Sequence, residues 1–108
     1  MPEAQCIKCP IKPGQRETLI NWIVRLEGRS TEMVEAMAEG GFIAEAVFLE
    51  RSDSGDHIVI YSSAHDLQAG TKALSNSKLP LVQEFNQLMA KSVDIENAVS
   101  LELIFHTP

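Results

Sequence analysis

The sequence predicts an α+β domain in which four strands form one antiparallel sheet, in the order strand–helix–strand–strand–helix–strand. Three observations carry that reading. The stretch from Phe42 to Ser63, FIAEAVFLERSDSGDHIVIYSS, holds two runs rich in β-branched and aromatic residues around a polar knot, Ser52-Asp53-Ser54-Gly55-Asp56, the pattern of a hairpin. A long helical pattern precedes it and a second helical region follows. One further apolar run lies towards each end of the chain.

The first of these runs is Ala4 to Ile11, AQCIKCPI. Pro10 lacks a ladder donor, so the strand stops there or runs along an unpaired side. Lys12-Pro13-Gly14 then turns the chain, and Pro13 discourages a helix from extending back through Lys12. From Gln15 to Glu39 the period becomes helical: Leu19, Ile23, Leu26, Ser30, Met33 and Met37 recur at steps of three and four. The stripe keeps phase across Gly28, so one helix is expected, with Gly28 the place for a bend. Gly40-Gly41 supplies a left-handed stop. After the hairpin, Ser63 reads as an N-cap with Asp66 three positions on, opening a helix from about His65 to Leu74. Pro80 suits the first turn of another helix, with Val82, Phe85, Leu88 and Met89 as its apolar side. Ala98 to Phe105, AVSLELIF, is the expected last strand. The right-handed crossover rule then gives the strand order four-one-three-two, with both helical regions on one face.

A chain of 108 residues fits one domain, 1–108, and can bury a core without disulfide or metal staples. Its net charge of −6 disfavours nucleic acid and anionic membranes. No apolar run approaches the roughly 20 residues of a membrane span. The N-terminal MPEAQCIK lacks the basic-then-apolar pattern of a signal peptide, so with two cysteines a cytoplasmic location is expected.

Side chains alternate across strands, so parity sorts each strand into two faces. Val99, Leu101, Leu103 and Phe105 form an apolar parity in the last strand, Ile58 and Ile60 in the third, and Ile7, Cys9 and Ile11 in the first. These should pack on the helices. The second strand is open: Ala44, Ala46 and Phe48 make one parity, and Ile43, Glu45, Val47 and Leu49 the other. The mixed face still carries Val59, Tyr61 and Ile104, an apolar surface that sheet-to-sheet pairing of two copies would cover.

The element order resembles the ferredoxin-like fold. Lys12-Pro13-Gly14 before a long amphipathic helix with Trp22 resembles the dimeric α+β barrel proteins, which include antibiotic-biosynthesis-monooxygenase-like and NIPSNAP-like members. More narrowly, AQCIKCPIKPG, AEAVFLER and HIVIYSSAHDL resemble an uncharacterised family of small bacterial proteins, a domain of unknown function. The resemblance covers essentially the whole chain and implies a homodimeric barrel. It does not fix function, since the barrel group holds cofactor-free monooxygenases, haem degraders, isomerases and proteins with no known activity. The cofactor-free oxygenases commonly use an asparagine with two tryptophans. Trp22 is the one tryptophan here, so no catalytic residue carries over.

Glu45, His57, Tyr61, Glu102 and His106 could share the mixed face with Lys8 and line a cavity there, where a carboxylate beside an imidazole tunes its proton affinity. The alternative is plain cross-strand pairing, such as Lys8 with Glu102. Cys6-Ile7-Lys8-Cys9 matches C-x-x-C. On a strand, however, residues three apart lie about 10 Å apart and point to opposite faces, so no disulfide or zinc pair is expected. His65 reads as surface, Met33 and Met37 as core filling, and Trp22 as a packing anchor. The histidines show no metal spacing, and no nucleotide-binding glycine motif is present, so neither cofactor nor metal is expected. Three function classes remain: a small-molecule binder with its cavity between sheet and helices or between protomers, an oxygenase- or isomerase-like enzyme, and a non-catalytic structural or regulatory dimer.

Overall fold

In the computed structural model, which describes residues 2–107, four strands form one sheet in the order β2-β3-β1-β4. They are β1 (Glu3–Pro10), β2 (Phe42–Glu50), β3 (His57–Ala64) and β4 (Val99–Ser100), and every neighbouring pair is antiparallel. This is the α+β ferredoxin-like fold and the strand order expected from the sequence. Met1 and Pro108, the ends of the expected domain, lie outside the described residues.

Register decides which side chains share a face. Cys9 opposes Ile58, which opposes Leu49, and Ile7 opposes Ile60, which opposes Val47. That row meets Leu19 of α1 (Arg16–Val24) and Met89 of α4 (Pro80–Ser92), with Val93 just beyond, and forms the main core. Leu19 and Ile58 are fully buried, each stabilising the fold by roughly 1.5–3 kcal/mol relative to exposure. A second cluster, Ala36, Leu81 and Val82, lies between α2 (Ser30–Gly40) and α4.

The expected single helix from Gln15 to Glu39 is in fact two, because Arg25–Arg29 tightens into a 3-10 turn around Gly28. That residue lends the backbone freedom and packs no side chain. Gly41 ends α2 at φ 66°, in the left-handed region the Gly-Gly pair suggested. The next helix, α3 (Leu67–Ser75), starts two residues later than expected. Ser63 remains in β3, and Asp66 is the cap, its Oδ1 accepting from Ala69 N at 3.1 Å. A carboxylate two bonds from the backbone caps as well as a hydroxyl does, so the later residue competes for the role.

The last strand is the main departure. Ala98 to Phe105 was expected, and only Val99–Ser100 pairs. Leu101 N donates to Cys6 O at 2.9 Å, and the chain then leaves the edge. His106 reaches Tyr61 instead, drawing the segment from residue 101 to residue 107 away from the ladder. Parity is also reversed there. Val99 opposes Lys8, so it lies on the face away from the helices, and Ser100 takes the helix side opposite Ile7. Because β1 fixes the register through Lys8, the apolar pattern of this segment does not control its orientation.

Candidate functional site

β2 settles the parity that its sequence leaves open. A bulge between Phe42 and Ala44 places the ring of Phe42 on the helix side, opposite Ala64. From Ala44 onward the ladder is regular, so Glu45, Val47 and Leu49 face the helices, while Ala46 and Phe48 face away. Glu45 is thus the charged member of an otherwise apolar row on this strand.

It looks into a cleft between β2 and the helices. The walls come from α1 and the following turn (Trp22, Leu26), α2 (Met33, Met37), and Leu74 and Phe85 of α3 and α4. The cleft has a cavity volume of about 60 Å³ and is open on one side. Trp22 and Phe85 meet at 5.9 Å between centroids with a tilt of 40°, a contact typical of stabilising aromatic pairs. Glu45 is the one ionisable residue in the lining, and among the described residues it has no hydrogen bond or ion pair. Burial pushes its carboxyl up from the usual carboxylate range. Its surface is nonetheless exposed. The two facts are compatible: water enters through the mouth, while the atoms around the carboxyl are hydrocarbon and give its charge little support.

Beyond Trp22, α2 and α4 are tied by one arginine. Arg29 donates through Nε and NH2 to Glu32 at 2.9 and 2.6 Å, and through NH1 and NH2 to Glu84 at 2.8 and 2.9 Å. Trp22 Nε1 donates to the same Glu84 at 3.3 Å. Arg29 holds both carboxyls below their ordinary value and is itself held more firmly charged. With both edges of its guanidinium engaged, it is not available to Glu45.

The other expected site residues do not join Glu45. Tyr61 lies across the sheet from it, on the face away from the helices, opposite Ala46 and Cys6. Tyr61 Oη and His106 Nε2 stand 3.2 Å apart. Glu102 lines an open recess beside Tyr61 and Cys6. His57 sits near the hairpin with Nδ1 at 3.5 Å from Glu50 Oε1, and Lys8 pairs with that Glu50 at 2.7 Å rather than with Glu102. The five residues therefore form no single site: Glu45 is in the cleft, while on the other face Tyr61, His106 and Glu102 surround the recess and His57, on the same face but four residues along β3, keeps with Glu50 and Lys8. The physical cause is the β2 register together with the departure of the C-terminal segment from the sheet edge. Cys9 is in the core, its thiol pushed up by burial, and Cys6 is on the opposite face. Both are free. Among the described residues, no three His, Cys, Asp or Glu side chains gather as a metal would require.

In the sequence Trp22, Phe85 and the two methionines look like packing residues; in the structure they also wall the cleft. Periodicity gives both roles the same signal. The one available hint was Glu45 itself, a charge within the parity Ile43, Val47, Leu49.

A model of a family of unknown function, DUF6176, matches residues 2–108. No curated protein matches in sequence. Among solved structures, a putative antibiotic biosynthesis monooxygenase from Nitrosomonas europaea is similar at TM-score 0.58 and 10% identity, covering 93% of this chain and 86% of that one. The cofactor-independent oxygenase SnoaB from Streptomyces nogalater is similar at 0.59 and 12%, covering 99% and 97%. An L-rhamnose mutarotase from Formosa agariphila is similar at 0.60 and 15%, covering 98% and 99%. Identities this low establish a common fold and leave the chemistry open.

Proposed function

The chain belongs to DUF6176, a family of unknown function, and from that premise we propose that it is a cytoplasmic small-molecule-binding protein that works as a homodimer and takes its ligand in the cleft between sheet and helices. One observation carries this reading: an apolar cleft with a single carboxyl, Glu45, in its wall, unpaired among the described residues. Convergence of an apolar lining on one polar group with shifted proton affinity is the pattern of a ligand site rather than of a filled core. The dimer rests on the opposite face of the sheet, where Phe48 and Val99 are 59% and 54% exposed. Val59 joins them there through the register. Leaving such a surface wet forfeits about 25 cal/mol per Å².

Trp22 is the chain's one tryptophan and stands in the cleft wall, so its emission reports occupancy directly. A library of small apolar compounds should contain members that shift this emission and raise the melting temperature. Those effects should vanish in a Met37→Phe variant that fills the cleft. A folded protein whose Trp22 emission no member moves would refute the binding reading. Sedimentation at micromolar concentration tests the dimer, with Val59→Asp expected to yield monomer. A second reading, an enzyme of oxygenase or isomerase type, draws on the likeness in fold and on Glu45 as a proton carrier. Turnover of a bound compound, lost in Glu45→Gln, would favour it.

A further inference from the structure

The charges around the cleft point to the class of molecule it takes. The lining offers hydrocarbon, two thioethers, and the rings of Trp22, Phe42 and Phe85. Among the described residues its one ionisable group is a carboxyl without a cation. The nearby Arg29, linked to the cleft wall through Glu84 and Trp22, is held on both sides, and the trio Glu32, Arg29 and Glu84 carries one more negative than positive charge. The chain as a whole is at −6. An anion entering this space would meet a like charge in a setting that screens it poorly. A neutral molecule would leave the Glu45 charge as poorly supported as it is in the empty cleft. An organic cation would supply the missing partner, and the aromatic and thioether lining would take its apolar part.

Resting on the binding reading above, we infer that the cleft is a site for a small hydrophobic amine, with Glu45 as counter-ion to the ammonium group and Trp22 and Phe85 against its apolar body. Binding leaves the amine protonated and forms no covalent bond. The open side of the cleft at Glu45 lets the ammonium keep part of its hydration while the hydrocarbon end goes inward. This suits a primary amine better than a quaternary one, because an N–H donor can reach the carboxylate directly.

The test uses matched probes on the full chain at neutral pH, read by Trp22 emission: 2-phenylethylamine, 2-phenylethanol and 3-phenylpropanoate, and the smaller n-butylamine, n-butanol and butyrate. In at least one series the amine should bind roughly tenfold more tightly than the alcohol, the scale of one charge-assisted hydrogen bond to a carboxylate. The acid should bind worst. In Glu45→Gln the amine should fall to the level of the alcohol while the alcohol is unchanged. Wild-type protein alone decides the matter if that variant folds poorly. Amine and alcohol binding equally well, or the acid binding best, would overturn the counter-ion role and leave the cleft as a ligand site. Failure of every probe, with the compound library also silent, would overturn both.

Discussion

Gly70 offers the sharpest test of how the wall of the cleft is built. It lies buried within α3, where its backbone passes that of Gly40 at the end of α2. A Cβ at Gly70 would sit 2.7 Å from Gly40 O and 3.0 and 3.1 Å from two atoms of the Phe42 ring. Carbon–oxygen contacts normally begin near ~3.3 Å, so the two helices would have to part by about 0.6 Å or more. Alanine is favoured over glycine in a helix by about 1 kcal/mol. Forcing a methyl into a packed contact costs about 1–3 kcal/mol. The obstacle here is backbone, which cannot rotate away as a side-chain tip can, so the cost lies in the upper half of that range. Gly70→Ala should therefore lose about 1–2 kcal/mol net, a fall of roughly 4 °C or more in melting temperature for a domain of this size. Gly28→Ala is the control. Its Cβ meets nothing within 4 Å and its φ is not positive, so it should be neutral or gain up to about 1 kcal/mol. Thermal melts followed by far-ultraviolet circular dichroism separate the two. If Gly70→Ala melts at or above wild type, propensity outweighs contact and the close crossing of α2 and α3 does not hold in solution.

Two further outcomes follow from caps and charges. Asp66→Ala should cost about 1 kcal/mol by removing the acceptor for Ala69 N, and Asp66→Asn should restore most of it; equal melting of all three proteins would count against the cap. The Glu45 carboxyl is raised from 4.5 by burial, so folding favours its protonated form, and the stability this gives is present below the unfolded value and lost as pH rises through the folded one. Glu45→Gln should thus melt at least as high as wild type at pH 7, with the gain shrinking towards pH 4. Glu32 and Glu84 have the opposite sign, since Arg29 lowers both, and their contribution is present above 4.5 and lost as pH falls through the folded values. A Glu45→Gln gain that persisted undiminished at pH 4 would show that the carboxyl charge is not its cause.

The sheet order and helix placement were legible because they rest on long-period signals: the hairpin around Ser52 to Asp56, the stripe through Leu19 and Ile23, and the crossover rule. What failed was local competition. Asp66 and Ser63 are both good caps, and nothing in the sequence says which backbone amides stand free. Ala98 to Phe105 alternates like a strand, but pairing needs a free edge in the right register, and β1 gives it only Ile7 and Lys8 before the chain turns away. Glu45 was singled out from the sequence and assigned to the wrong company. Its face is set by its pairing with Ser62, and a run such as FIAEAVF, where both parities are mostly apolar, does not show which register β3 selects.

The same register joins ligand binding to assembly. With Glu45 on the helix side, its neighbour Ala46 faces the opposite way beside Tyr61, and Phe48 lies beside Val59. The row Phe48, Val59, Lys8 and Val99 crosses the sheet with one charge in it. Lys8 is itself neutralised by Glu50 at 2.7 Å, and the ammonium holds the Glu50 carboxyl below its ordinary value. A surface of this kind is suited to meeting another copy, since its charge arrives already paired and three of its four members are apolar. The cleft is on the other side of the same strands, its walls contributed by helices that such an interface does not touch. A sheet is stiff across its thickness, because ladder hydrogen bonds and interleaved side chains hold both faces at once. Association through the outer face would therefore brace β2 from behind without filling the cleft, and Glu45 would meet its ligand from a strand fixed on both sides.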